Sequence, residues 1–334
     1  MAIRRVIQEK TDSCFSFCDP RTLIFNGGII IMAKQLIECV PNFSEGKNKE
    51  IIEKIVQPFK ETQGCYLFDY RADEDHNRLV VSLVGEPEAI CSSLLEAAQY
   101  AVAHIDMNAH KGAHPRIGAV DVVPFTPIKN ISMEECVALS HTYGEEYHKV
   151  TGIPVYFYED SAKRPERKRL EVIRKGQYET LKEECTLPER APDVGGPKLH
   201  PTAGATVMGA RKFLVAFNVN LKTDDVNIAK KIASFVKASS GGFCHVKGIG
   251  LSLEERGIVQ VSMNIVDYQK NSLYRVVEMI RMEARRWGVE VLETEVYGMI
   301  PAEALLQSTE YYLQIADFDP QQVIELKLLE MMGN

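Results

Sequence analysis

Hydrophobic and polar positions follow two periods along most of the chain. Residues 35–40 read as a short strand ended by Pro41. In 47–61 the apolar residues fall at 51, 52, 55, 56 and 59, the spacing of one helix face. Strands are expected at 65–70 and 79–84, joined by the polar stretch 71–77. A long Ala- and Leu-rich helix is expected at 86–105, then a strand at 118–125 stopped by Pro127. The order is β-α-β-β-α-β, the split βαβ unit of ferredoxin-like folds. A helix at 132–150 and a strand at 153–158 extend it.

The same order returns without a residue-level repeat. Strands are expected at 213–221, 244–253, 258–265 and 289–297, with helices at 224–237 and 272–287. Residues 254–257 form the turn of a hairpin, and helices follow near 301–313 and 320–332. Between the halves, 176–210 is rich in Gly, Pro and charge and has little periodicity, and so reads as a long functional loop or linker. The fold class expected is α/β (α+β): two ferredoxin-like subdomains with mixed sheets and a cleft between them. The boundaries expected are 32–212 and 213–334. Residues 1–31 read as an extension outside the fold. Their apolar run is short for a signal sequence and far too short to span a membrane.

Composition narrows the class. The chain has 334 residues, 45% hydrophobic and 25% charged, with net charge −7. That usage excludes disorder, collagen and coiled coil. Mild acidity argues against a nucleic-acid binder, which needs a basic stripe. The eight cysteines are scattered without a C-x-x-C pair, which points to reduced thiols in a cytoplasmic protein rather than a zinc or redox site.

Five polar clusters stand out. His110-Lys111-Gly112-Ala113-His114-Pro115-Arg116 lies between a helix and a strand. Gly112 and Pro115 argue for irregular backbone, and Lys111 would repel a metal ion, so no metal is expected. One histidine there suits general acid/base work, with Lys111 and Arg116 on an anion; the alternative is a loop whose histidines bond backbone. Asn42 and Ser44 lie in a strand-to-helix turn, where Ser44 suits an anion site or simply an N-cap. Asp69, Asn77 and Arg78 flank a hairpin tip that is either a solvated turn or a cleft edge. The stretch Gly195-Gly196-Pro197-Lys198-Leu199-His200-Pro201-Thr202-Ala203-Gly204 fits neither a P-loop nor a Rossmann fingerprint. Its glycines allow close approach to a flat ligand, unless it is a flexible linker. Seven basic residues in 163–175 make a solvated face or a seat for a polyanionic tail.

Three segments of the chain carry a resemblance. Glu38-Cys39-Val40-Pro41-Asn42-Phe43-Ser44-Glu45-Gly46, the run from Asp106-Met107 to His114-Pro115-Arg116, and 206–220 with Gly209-Ala210-Arg211-Lys212 resemble the glutamate formiminotransferase family. The match runs in one register from about Met32 onward. The resemblance implies transfer of a formimino group from N-formimino-L-glutamate to N5 of tetrahydrofolate, in histidine breakdown. It implies His114 as the catalytic base and Gly195 to Gly204 as the folate-contacting stretch. Tetrahydrofolate enters as co-substrate, and the family is usually homodimeric. Both substrates carry carboxylates, so Arg78, Lys111, Arg116 and Arg211 are expected as clamps, with Asp69 orienting the histidine. A folate polyglutamate tail would meet the 163–175 run. His200, Thr202 and Ala203 differ from the animal enzyme. The chain also ends at Asn334 without the cyclodeaminase domain of that enzyme, so the transferase alone is expected. Formyl transfer between 5-formyltetrahydrofolate and glutamate, or folate binding without turnover, are the rival readings.

Overall fold

A computed structural model describes residues 22–25, 28–31 and 34–332. Most of the expected extension, including Cys14 and Cys18, lies outside the described residues. Thr22–Phe25 (β1) and Gly28–Ile31 (β2) pair antiparallel within a small unit of their own.

In the larger unit, Pro41 divides one strand position into Leu36–Cys39 (β3) and Asn42–Phe43 (β4). Lacking an N–H, proline interrupts the ladder but still offers its carbonyl, which Val81 N–H takes at 3.0 Å. Helix α1 (Lys49–Glu61) follows, capped by the Asn48 side chain, and buries Ile52, Ile55, Val56 and Phe59. Next come β5 (Cys65–Asp73), β6 (Arg78–Gly85), α2 (Pro87–His104) and β7 (Val120–Lys129). Strands β3 and β4 lie between β6 and β7, and β5 flanks β6, all antiparallel. Helix α3 (Met133–Thr151) starts with a Ser132/Glu135 capping box and ends at Gly152, whose φ of 73° is the left-handed stop that glycine allows. Strands β8 (Val155–Phe157) and β9 (Thr206–Ala210) join beyond β7 in parallel, so this sheet is mixed.

Two expectations give way here. Strand β7 runs past Pro127 to Lys129, because the register slips opposite Leu36 and Ile37 and no ladder donor is required there. The 176–210 segment is not all loop. It contains α5 (Gln177–Glu184), after the short turn α4 (Leu170–Ile173), and it supplies β9. All five residues of β9 are buried, so the strand has no alternation to read.

The second lobe runs β10 (Val215–Leu221), α6 (Val226–Val236), β11 (Val246–Leu253), β12 (Ile258–Ile265), α7 (Leu273–Arg286) and β13 (Val291–Tyr297). Its strand order is β11-β12-β10-β13 and every pairing is antiparallel, which corrects the expectation of two mixed sheets. Helices α8 (Ala302–Leu313) and α9 (Ile324–Met332) follow. The second sheet packs its helices around a core that includes Val219 and Ile280. The first has its main core, around Phe59 and Leu94, on one face and a smaller cluster on the other, where Ile173 of α4 and Leu181 of α5 meet Val122, Tyr156 and Val207.

Candidate active site

Strand alternation builds the site floor. Ile37, Cys39, Leu79, Val81, Leu83, Val123 and Phe125 point into the helix-packed core. Their neighbours Glu38, Val40, Asn42, Arg78, Val80, Ser82, Val122 and Pro124 therefore project from the opposite face. They line a cavity of about 870 Å³. The second lobe closes it with Ala216, His245, Lys247, Asn264 and Tyr297. The volume lies in the upper range of ligand pockets. Three contacts join the lobes around it: Lys212 to Asp267 at 2.6 Å, Lys247 to Glu171 at 2.7 Å, and the Arg71 guanidinium 4.5 Å from the Tyr297 ring centre.

His114 lines this cavity on the loop between α2 and β7. Burial, then the cations Arg78 and Arg174, hold its imidazole down at about 3. It is neutral at neutral pH and can accept a proton. Its ring lies edge-on to His76, with centres 6.2 Å apart. Arg78 is largely buried, with its charge disfavoured first by burial and then by Arg174. The Nε atoms of Arg78 and Arg174 are buried without a hydrogen-bond partner. Unsatisfied donors in a cleft are what an anionic ligand would complete. Arg174 also pairs with Asp121, whose other oxygen accepts from Ile117 N–H at 2.8 Å.

The sequence-predicted residues divide. Asn42, Asp69, Arg78, His114 and Arg211 meet at the cavity. Asp69 does not orient His114, however, because its carboxylate takes the Arg71 Nε at 2.8 Å. Arg116 is buried and bonds the Glu179 carboxylate, Gln177 and His110, so its fork is already filled. Ser44 caps nothing; its hydroxyl donates to the Gly118 carbonyl at 2.7 Å. Asn77, at φ 46°, accepts from Gly46 N–H at 2.9 Å and donates to the Lys111 carbonyl at 3.0 Å. His110 Nε2 bonds the Asn77 carbonyl, and Ala113 N–H bonds that of Asp75. The hairpin tip thus ties the 42–48 turn to the His114 loop. A side chain at Gly46 or Gly112 would strike its backbone at about 2 Å, at Asp73 and His76 respectively. The Lys111 side chain is exposed and is not among the lining groups.

None of Gly195 to Gly204 lines the cavity. His200 folds this segment on itself, its Nδ1 accepting from Ala203 N–H at 3.0 Å. Ala203 and Ala205 then bond the backbone of Ala119 and Ile117, directly behind the His-Pro-Arg segment. In the 163–175 run, only Arg174 among the basic residues reaches the cavity. Arg164 donates to the Pro188 carbonyl and Arg167 pairs with Asp193 at 2.8 Å, so these two clamp the connecting segment. The strand pattern at 35–40 already placed Glu38 opposite Ile37 and Cys39, yet sequence reasoning passed over it. It passed over Arg174 within the basic run as well. Lys247 and His245 were missed because nothing local in 244–253 shows which face meets the other lobe. Among the described residues no group of three or more His, Cys, Asp or Glu could hold a metal ion.

Comparison with known proteins decides the family. A model described as the formiminotransferase domain, N-terminal subdomain, matches residues 36–211, and one described as the formiminotransferase domain matches 216–332. The chain belongs to the formiminotransferase family. It is 50% identical over 299 residues to the glutamate formimidoyltransferase of Streptococcus pyogenes serotype M1, covering 89% of this chain and 100% of that protein. The glutamate formimidoyltransferase of Thermoplasma acidophilum is 41% identical, over 88% of this chain and 97% of that protein. The formimidoyltransferase-cyclodeaminase of Gallus gallus is 43% identical over 85% of this chain, which spans 53% of that protein. No described helix of this formiminotransferase-family chain is long and apolar enough to cross a membrane.

Proposed function

We propose that the chain transfers the formimino group from N-formimino-L-glutamate to N5 of tetrahydrofolate, giving 5-formiminotetrahydrofolate and L-glutamate in histidine degradation. The observation that carries this reading is His114, kept neutral beside two arginines with unfilled donors in a cavity roomy enough for two reactants. Its kinship to the glutamate formimidoyltransferases supports the same chemistry.

In this reading N5 of the folate attacks the formimino carbon, and a C–N5 bond forms while the C=N electron pair moves onto nitrogen. His114 takes the N5 proton. As the bond to the glutamate nitrogen breaks, His114 returns the proton to that nitrogen. One residue acting first as base and then as acid contributes about 10²–10⁴-fold. The substrate carboxylates seat at Arg78 and Arg174. Their charges offset the field that depresses the imidazole, so its basicity rises only when the site is filled. The folate's seat is the cavity, and the 195–204 segment braces the His114 loop. We read the protein as a cytoplasmic homodimer. The reduced cysteines, and exposed apolar side chains on α8 and α9 such as Leu313 and Leu329, support this.

The test is purified protein with tetrahydrofolate and N-formimino-L-glutamate, followed by folate absorbance. Turnover with that donor is expected. Turnover only between 5-formyltetrahydrofolate and glutamate would assign the rival reaction. Binding without turnover of either donor would leave a folate-binding protein.

A further inference from the structure

The cavity floor contains one carboxylate that the transfer chemistry above does not use. Glu38 on β3 is 5% exposed. Of the other acidic groups lining the cavity, Asp69 takes Arg71, Glu171 takes Lys247 and Asp267 takes Lys212, while Asp160 is exposed to water. Glu159 is favoured by both Lys247 and Arg211. Glu38 has no ion pair among the described residues; the field of Arg211 and the side-chain hydroxyl of Thr126 favour its charge. Thr126, its cross-strand partner on β7, is buried beside it and offers one hydroxyl to the carboxylate. A buried carboxylate without an ion pair faces the cavity from β3, with most of its lone pairs open. Unfilled hydrogen-bonding capacity of this kind is costly unless a ligand completes it.

The charge of the missing partner follows from the donor's chemistry. An N-substituted formamidine is a stronger base than an amine and is a cation at neutral pH. Its delocalised N–C–N unit presents two N–H groups in a plane, like the edge of a guanidinium. The arginines of the cavity suit the substrate carboxylates, but they repel this end of the molecule. Resting on the function proposed above, we infer that Glu38 receives the formamidinium end of the donor, its two oxygens accepting one N–H from each nitrogen. The contact is the carboxylate half of the bidentate fork that arginine makes with acids. It also excludes. A formyl group in the same place would turn a carbonyl oxygen toward the carboxylate, acceptor against acceptor. Glu38 is therefore the residue that separates a formimino donor from its formyl isostere, while His114 moves the proton.

The test compares binding of N-formimino-L-glutamate and N-formyl-L-glutamate at pH 8 by calorimetry. The two differ at the group Glu38 would read. The parent protein should prefer the formimino compound by on the order of 10²-fold or more, as sites built around a hydrogen bond do. In Glu38→Gln the preference should fall to about tenfold or less, with tetrahydrofolate affinity unchanged. Glu38→Asp keeps the charge and should keep most of the preference. A folded Glu38→Gln protein that still separates the two compounds, or a Glu38→Asp protein that binds them alike, overturns the proposal. Parent protein that binds neither compound sinks the functional reading itself, before Glu38 is reached.

Discussion

The Arg116 guanidinium closes two parallel hydrogen bonds on the Glu179 carboxylate, Nη1 to Oε2 at 2.9 Å and Nη2 to Oε1 at 2.6 Å. The pair links the loop that carries His114 to α5 of the connecting segment. Arg116 Nε also donates to His110 Nδ1 at 3.1 Å, which leaves His110 Nε2–H for the Asn77 carbonyl. Arg116→Lys keeps a charge but loses the fork. It is expected to cost about 1–3 kcal/mol of stability. It should lower kcat while leaving KM for both substrates within about threefold, because Arg116 positions His114 and touches neither reactant. Denaturant midpoints and steady-state kinetics check this. A large rise in KM with kcat intact would make Arg116 a substrate clamp after all.

Arg78 is the opposite case. Its guanidinium is largely buried, with an unpartnered Nε and no ion pair among the described residues. Arg78→Ala should raise KM for a carboxylate substrate by about 10–10²-fold, the scale of one charged hydrogen bond lost. The melting temperature should stay level or rise, because a buried unpaired charge is a cost to the empty protein. Thermal scans of the parent and the variant, alongside kinetics, decide it.

The pH profile separates Glu38 from His114. His114, at about 3, is neutral across pH 5–8 and gives no break there in the free enzyme. Burial pushes the Glu38 carboxyl up to about 7, with Arg211 opposing. The carboxylate must be ionised to receive a cation, so kcat/KM for the formimino donor should fall about tenfold per unit below pH 7. Glu38→Gln should abolish that limb. A limb that persists unchanged in the variant would assign it to another group.

Stability supplies an independent check on the same residue. A carboxyl whose folded value lies above its unfolded value adds stability below the unfolded value, here 4.5. That stability is lost as pH rises through about 7. At pH 8 the folded protein therefore carries a buried charge at a cost of up to on the order of 3 kcal/mol. Glu38→Gln should raise the melting temperature at pH 8 by several degrees and give little gain at pH 4. A lower melting temperature at pH 8 would mean that Glu38 supports the fold rather than the site.

The two-lobe plan was legible because its strands and helices carry clean periods. Ile37 and Cys39 alternate with Glu38 and Val40, and Ile52, Ile55, Val56 and Phe59 form one helical stripe. Strand β9 was not legible, since a fully buried parallel strand has no alternation. The polar company of 110–116 marked a candidate histidine, the family resemblance singled out His114, and the structure places it at the cavity. The roles of Arg116, Asn77 and Ser44 were not, because their partners Glu179, Lys111 and Gly118 lie 34 to 74 residues away in sequence. Asn48 capped α1 where Ser44 had been expected, a shift of four residues within one polar turn. The C-lobe side of the cavity depends on how two sheets meet, which no local pattern encodes.

In the proposed transfer His114 carries the proton between the two nitrogens. Turnover of N-formimino-L-glutamate with tetrahydrofolate, measured for the parent and for His114→Ala, tests it most directly. A drop in kcat of about 10²–10⁴-fold, with tetrahydrofolate still bound at the parent's affinity, is the predicted result. A folded His114→Ala protein that turns over within a few-fold of the parent would contradict it.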